Sequence, residues 1–165
     1  RHIAHRKERS NNMLIIRDVT EADREQAVAM MKEFYKSPAC LHEVPEEHFH
    51  RTITEAAGPN PAVRLMMLEE QEGDEAPRTV GYAHFVVSWN NEAGGQQIWF
   101  DEMVFNENAR GKGYGTQVFA WMEKEYPDVK RIRMEVTREN IRAIALYERL
   151  GYKHLDYYQM CQDFD

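Results

Sequence analysis

The stretch Ala109-Arg110-Gly111-Lys112-Gly113-Tyr114-Gly115-Thr116 constrains this chain more than any other. It lies between an extended apolar run, Ile98 to Phe105, and an amphipathic run, Thr116 to Tyr126. Strand, glycine turn and helix in that order make a device for holding an anion. Glycines permit a sharp turn and leave several backbone N–H groups uncovered. The start of the helix adds the positive end of its dipole, and Arg110 and Lys112 add charge at the same place. A phosphate group is the natural occupant. The P-loop pattern G-x-x-x-x-G-K-[ST] is absent, and the glycines at 111, 113 and 115 fall as G-x-G-x-G, not as the G-x-G-x-x-G of a dinucleotide fold. The spacing that fits is Arg-x-x-Gly-x-Gly, carried by Arg110, Gly113 and Gly115.

The chain around this stretch has the size of one domain. At 165 residues and 42% apolar content it is long enough to bury a core. Arg1 to Asn12 carries Arg1, Arg6, Lys7 and Arg9 with almost no apolar residue, and is expected to be a disordered tail ahead of a domain over 13–165. A net charge of −7 speaks against nucleic acid as a partner and suits a cationic small substrate. The apolar runs are too short for a membrane span, and no secretory leader is apparent, so a cytoplasmic location is expected. Cys40 and Cys161 have no C-x-x-C spacing and read as reduced thiols. His48 and His50 lie two apart on an expected helix and so face different ways; no metal is expected.

The remaining elements follow from periodicity and punctuation. Met13 to Arg17, Val63 to Leu68, Thr79 to Trp89, Gln96 to Phe105, Arg131 to Val136 and Tyr152 to Cys161 read as strands. Helices are expected from Glu21 to Tyr35 after a Thr20 cap, from Pro45 to Ala57, from Thr116 to Tyr126 and from Asn140 to Leu150. Glu69 to Arg78 reads as a charged turn. This ordering is α+β: a single mixed, mostly antiparallel sheet of about six to seven strands flanked by helices. It has one β-α-β crossover, with the glycine loop at the carboxyl end of its first strand, where ligands bind in open α/β sheets.

With Arg110, Gly113 and Gly115 stands a second segment, Asn140 to Tyr152, which matches N-x-x-A-x-x-x-Y-x-x-x-G-[FY] on Asn140, Ala143, Tyr147, Gly151 and Tyr152. Together, in this order and separation, they resemble the GNAT superfamily of acyl-CoA-dependent N-acyltransferases. The resemblance is close from Gln96 onward and holds in element order from Met13. It implies acetyl-CoA as co-substrate, with its pyrophosphate on Arg110, Gly111, Lys112, Gly113, Tyr114, Gly115 and Thr116. In the family the two parallel strands splay apart and the pantetheine arm lies between them, here along Met103, Val104 and Phe105. Asn140, Ala143 and Tyr147 complete the implied cofactor contacts. Homodimers are common in the family, although no sequence feature here shows one.

The resemblance also implies the chemistry. Aminolysis of a thioester expels a thiolate, and a tyrosine near pKa ~10 is still protonated at neutral pH and can protonate a departing thiol near ~8.5. Tyr147 occupies the matching position. Neither cysteine lies in a motif that suggests a nucleophile, so the amine is expected to attack directly. Asp101 and Glu102, just before the acetyl site, are the candidate proton acceptors. In an unbroken strand only one of them can face the cavity, and a bulge would change that. Between these two, and a water relay, the sequence does not choose. A finer likeness, Thr79 to Ala83 with Trp99 to Phe105, is to the diamine and polyamine N-acetyltransferase branch, although Asp101-Glu102 inverts that branch's usual order. Other acceptors compatible with the family are a protein amino terminus, a lysine or an aminoglycoside-like amine, and a non-catalytic acyl-CoA sensor is the rival outside enzymes. His84 alternates with Tyr82 and Val86, a position from which it could line an acceptor pocket.

Overall fold

The structure, a computed structural model, describes residues 11–164. Five strands form one sheet in the order β1-β2-β3-β4-β5: β1 (Asn12–Asp18), β2 (Val63–Glu72), β3 (Arg78–Asn90), β4 (Gly95–Phe105) and β5 (Arg131–Met134). The first four are antiparallel neighbours, and β4 and β5 pair in parallel through the expected crossover. Helices α1 (Arg24–Tyr35) and α2 (Glu46–Ala57) cover one face; α3 (Tyr114–Glu125) covers the other, and α4 (Ile141–Arg149) follows β5.

Strand β2 shows why the sheet is buried on both sides. Leu65, Met66, Met67 and Leu68 are all at most 1% exposed. Because side chains alternate along a strand, Leu65 and Met67 pack under α1 and α2 with Val28, Met31, Phe49 and Ile53. Met66 and Leu68 pack on the opposite side with Phe85, Phe100, Val118, Phe119 and Met122. A continuous apolar run, without polar alternation, marks such a two-sided strand.

The helix entry at Thr20 is held by a carboxylate. The backbone N–H and the hydroxyl of Thr20 both donate to Asp23, at 2.8 and 3.0 Å, and Arg17 grips the same carboxylate with two 2.8 Å bonds. A short 3-10 turn, Glu21–Asp23, precedes α1 for this reason.

Three expectations are corrected. The sheet has five strands among the described residues, not six or seven. β5 stops at Met134, short of Val136, because β4 is bulged just beyond Phe100 and leaves Glu135 and Val136 no partner. So short an edge offers little to pair with, and residues 152–164 form no strand; Tyr157 instead donates its hydroxyl to Glu92 at 3.1 Å. The third correction is at Glu69 to Glu72, which belongs to β2, not to a turn. Its acids are matched by cations: Glu69 by Arg17, and Glu70 by Arg78 and Lys112. Of the expected tail, residues 1–10 lie outside the described residues, and Asn12 already pairs with Glu72.

Candidate active site

The glycine turn takes the form that its sequence requires. Gly111 and Gly113 have φ of +73° and +81°, values that favour glycine, and Gly113 stands immediately before the first residue of α3. Among the described residues, no oxygen of the protein accepts a bond from the backbone N–H groups of residues 111 to 116. The first helical bond is that of the Gln117 N–H to the Gly113 carbonyl at 3.2 Å. Six consecutive amides are thus available at the positive end of a helix, the arrangement that binds anions. Gly115 serves a different need: a Cβ there would come within 3.0 Å of Leu146 and 3.2 Å of Met103, so its absence lets α3 approach α4 and β4 closely.

This turn forms one end of a cleft of about 580 Å³. Its walls include Met103, Val104 and Phe105 on β4, residues 113–116, and Asn140, Ala143 and Leu146 on α4. The β4–β5 ladder pairs only Gln97 to Phe100 with Arg131 to Met134. Beyond Phe100, among the described residues, no strand pairs with β4 on that side, and the edge of residues 103–105 opens on the cleft. Asn140 caps α4: its Oδ1 accepts from the Ala143 N–H at 3.2 Å, and its amide NH₂ remains a donor. The Arg110 guanidinium donates to the Phe105 carbonyl at 3.1 Å, bracing the entrance to the turn against β4.

Two of the expected cofactor contacts do not line the cleft. Lys112 turns toward the sheet, where its ammonium lies 2.8 Å from the buried Glu70 carboxylate. The Tyr147 ring packs edge-to-face with Phe119 and Tyr152, at centroid distances of 5.8 and 6.1 Å. Burial raises the Tyr147 hydroxyl pKa above its ordinary value, so the hydroxyl holds its proton at neutral pH.

The acidic pair lies on the face covered by α1 and α2. The β3–β4 register slips between His84/Glu102 and Phe85/Phe100, which makes Asp101 the extra residue of a β-bulge. Phe100 packs in the α3-side core, and in a regular strand Glu102 would follow it there. The bulge turns Glu102 over to meet the hydroxyls of Tyr82, at 2.7 Å, and Tyr35. Asp101 approaches the His84 Nδ1 at 3.5 Å. Tyr82 and His84 are two apart on β3 and therefore share a face, so both carboxylates converge on it. The bulge that the sequence left open is present.

Burial raises the Asp101 pKa, with the neighbouring Glu102 charge adding to the rise and His84 opposing it. Burial and the Glu102 charge push the Tyr35 and Tyr82 hydroxyls upward, which keeps them donors. Tyr35 and Tyr82 were not apparent from the sequence as site residues, because each sits where apolar periodicity already explains an aromatic ring. Among the described residues, no group of three or more His, Cys, Asp or Glu is placed to hold a metal. No helix there is long and apolar enough to cross a membrane.

Comparison with known proteins bears on this geometry. The model of the acetyltransferase (GNAT) family matches residues 20–152. The spermine/spermidine N(1)-acetyltransferase of Bacillus subtilis is 28% identical over 87 residues, 50% of this chain and 55% of the relative. The match thus spans about half the length of that curated relative. Among solved structures, a possible acetyltransferase from Clostridium difficile superposes with a TM-score of 0.73 at 16% identity, over 93% of this chain and 99% of that one. An aminoglycoside N-acetyltransferase solved in complex with CoA gives a TM-score of 0.70 at 11% identity, over 92% of this chain and 95% of that one. At such identities these structures show a common fold.

Proposed function

The chain belongs to the acetyltransferase (GNAT) family, and from that premise we propose that it transfers an acetyl group from acetyl-CoA to a primary amine of a diamine or polyamine. The observation that carries the donor half is the row of six amides, 111 to 116, left without acceptors among the described residues at the start of α3. Their number and their place at the start of a helix fit a diphosphate, and the open edge of residues 103–105 fits an extended arm carrying amide groups. Bound there, the co-substrate supplies an activated thioester.

The chain's own residues then have separate tasks. The amides of the turn bind and orient the donor, and Asn140 contributes its amide NH₂ from the opposite wall. Glu102, with its oxygens engaged by Tyr35 and Tyr82, gives the acceptor pocket a fixed negative charge that attracts an ammonium. Asp101, partly exposed and with a raised pKa, takes the proton that the attacking amine must lose, and His84 orients its carboxylate. Tyr147, protonated at neutral pH and packed behind the cleft wall that Ala143 and Leu146 of the same helix form, returns a proton to the departing sulfur once the bound donor brings the thioester to its hydroxyl. The two convergent acids and the Bacillus relative's activity support a polycationic acceptor.

The test is release of free CoA from acetyl-CoA over a panel of amines: spermidine, spermine, putrescine, a lysine peptide, a peptide amino terminus and an aminoglycoside. Polyamines are expected to react fastest, and Tyr147→Phe to lower kcat by about 10²-fold or more with CoA affinity kept. Preference for another acceptor would overturn the polyamine assignment. Tight CoA binding with no thiol released for any amine would indicate an acyl-CoA sensor.

A further inference from the structure

Glu70 has no part in the chemistry just described, yet it is 2% exposed, the most buried charged side chain among the described residues. It sits on β2 opposite Arg78 of β3. Its Oε1 accepts from Arg78 at 2.6 Å, and its Oε2 accepts from the Lys112 ammonium at 2.8 Å and the Tyr114 hydroxyl at 2.5 Å. Lys112 and Tyr114 are the two residues on either side of Gly113, the left-handed residue before α3. A buried carboxylate therefore fastens both neighbours of the residue on which the turn pivots. It also draws the one lysine of the turn away from the cleft, so that backbone amides and not an ammonium face the donor.

We propose that Glu70 is a positioning residue for the donor: by holding Lys112 and Tyr114 against the sheet, it keeps the amides of residues 111–116 in the conformation that receives a diphosphate. The proposal rests on the donor site of the preceding section. A turn with two left-handed glycines has many conformations available when free, and fixing it in advance removes an ordering cost from binding. Three donors on one buried carboxylate, two of them cationic, make a rigid anchor.

The experiment compares two donors, acetyl-CoA and S-acetylpantetheine, which lacks the diphosphate, on wild type and Glu70→Gln at saturating spermidine, with calorimetric titration of CoA alongside. For Glu70→Gln the KM for acetyl-CoA and the Kd for CoA are expected to rise about tenfold or more, the effect of losing one or two charge-assisted contacts. Its kcat and its KM for S-acetylpantetheine are expected to hold. Equal losses with both donors would reduce Glu70 to general support of the fold, and unchanged CoA affinity would overturn its role. Should Glu70→Gln fail to fold, Tyr114→Phe removes a single hydroxyl that points away from the cleft. It is expected to weaken CoA several-fold with its melting temperature nearly kept; unchanged affinity there refutes the anchor as well. A wild type that binds no CoA would instead remove the donor site itself.

Discussion

Gly81→Ala tests whether β3 and β4 meet as closely as the donor edge requires. Gly81 faces Phe105 across the ladder, and a Cβ built on it would lie 2.0 Å from the Val104 carbonyl oxygen and 3.2 Å from the Phe105 Cα. Real Cβ contacts essentially never fall under 3.0 Å, so the strands must part by about 1 Å, the difference between 3.0 and 2.0. Both obstacles are backbone, and no side-chain rotation relieves them. The bond from the Asn106 N–H to the Val80 carbonyl, now 2.7 Å, is the nearest to the opening and would lengthen beyond hydrogen-bond range. Overpacking of this kind costs about 1–3 kcal/mol, and a lost ladder bond about 1 kcal/mol. Together they give a destabilisation of about 2–4 kcal/mol, or a fall in Tm of about 4–16 °C for a domain of this size. The displaced carbonyl faces β3, but Val104 lies between Met103 and Phe105 in the segment assigned to the pantetheine arm, so the KM for acetyl-CoA should rise while that for the amine holds. Thermal unfolding followed by circular dichroism, with steady-state kinetics, reads both. A Tm within about 1 °C of wild type would refute the close approach of the two strands.

Asp101→Asn is expected to lower kcat/KM by about 10²-fold or more, whereas Glu102→Gln should chiefly raise the amine KM. Burial holds the Asp101 pKa above that of an ordinary carboxylate, so the wild-type acid limb of kcat/KM should lie above pH ~4 and vanish in Asp101→Asn; an unchanged limb would assign the base elsewhere. Asp23 offers a stability test. The Arg17 hydrogen bonds lower its pKa from 3.8 to about 2, against burial, which raises it. The folded value is the depressed one, so the stabilisation is fully present above pH ~4 and is lost as the pH falls toward ~2. At about 1.4 kcal/mol per pKa unit this amounts to about 2 kcal/mol, and denaturant titration of Asp23→Asn should show that loss at pH 7 and a flatter acid dependence below pH ~4. Parallel wild-type and variant curves would refute it.

What the sequence disclosed and what it hid divide along a physical line. Arg110-x-x-Gly113-x-Gly115 was legible because the backbone of a left-handed turn is dictated locally, and Gly111 and Gly113 adopt φ values that other residues seldom take. Asn140 was legible as the start of α4 for the same reason: a cap is a contact over three residues. The bulge at Asp101 was not, since a register shift depends on how two strands meet, and nothing in Phe100-Asp101-Glu102 alone settles it. Glu70 was hidden more thoroughly. In sequence it stands in a charged run that reads as a turn, and only the approach of Arg78, Lys112 and Tyr114 makes its burial tolerable. Lys112 shows the converse, a cation next to an anion site in sequence that the fold turns the other way. The sheet was overcounted because extended propensity in Tyr152 to Cys161 does not make a strand without an edge to join.

The central proposition is that the turn before α3 holds a diphosphate with its own amides. Titrating uniformly ¹⁵N-labelled protein with CoA and following backbone amide shifts addresses it at the atoms concerned. The N–H signals of Gly111, Gly113, Tyr114, Gly115 and Thr116 should show the largest saturable shifts, with smaller ones at Met103, Val104 and Phe105. Saturable binding of CoA that leaves the signals of residues 111–116 in place would contradict it.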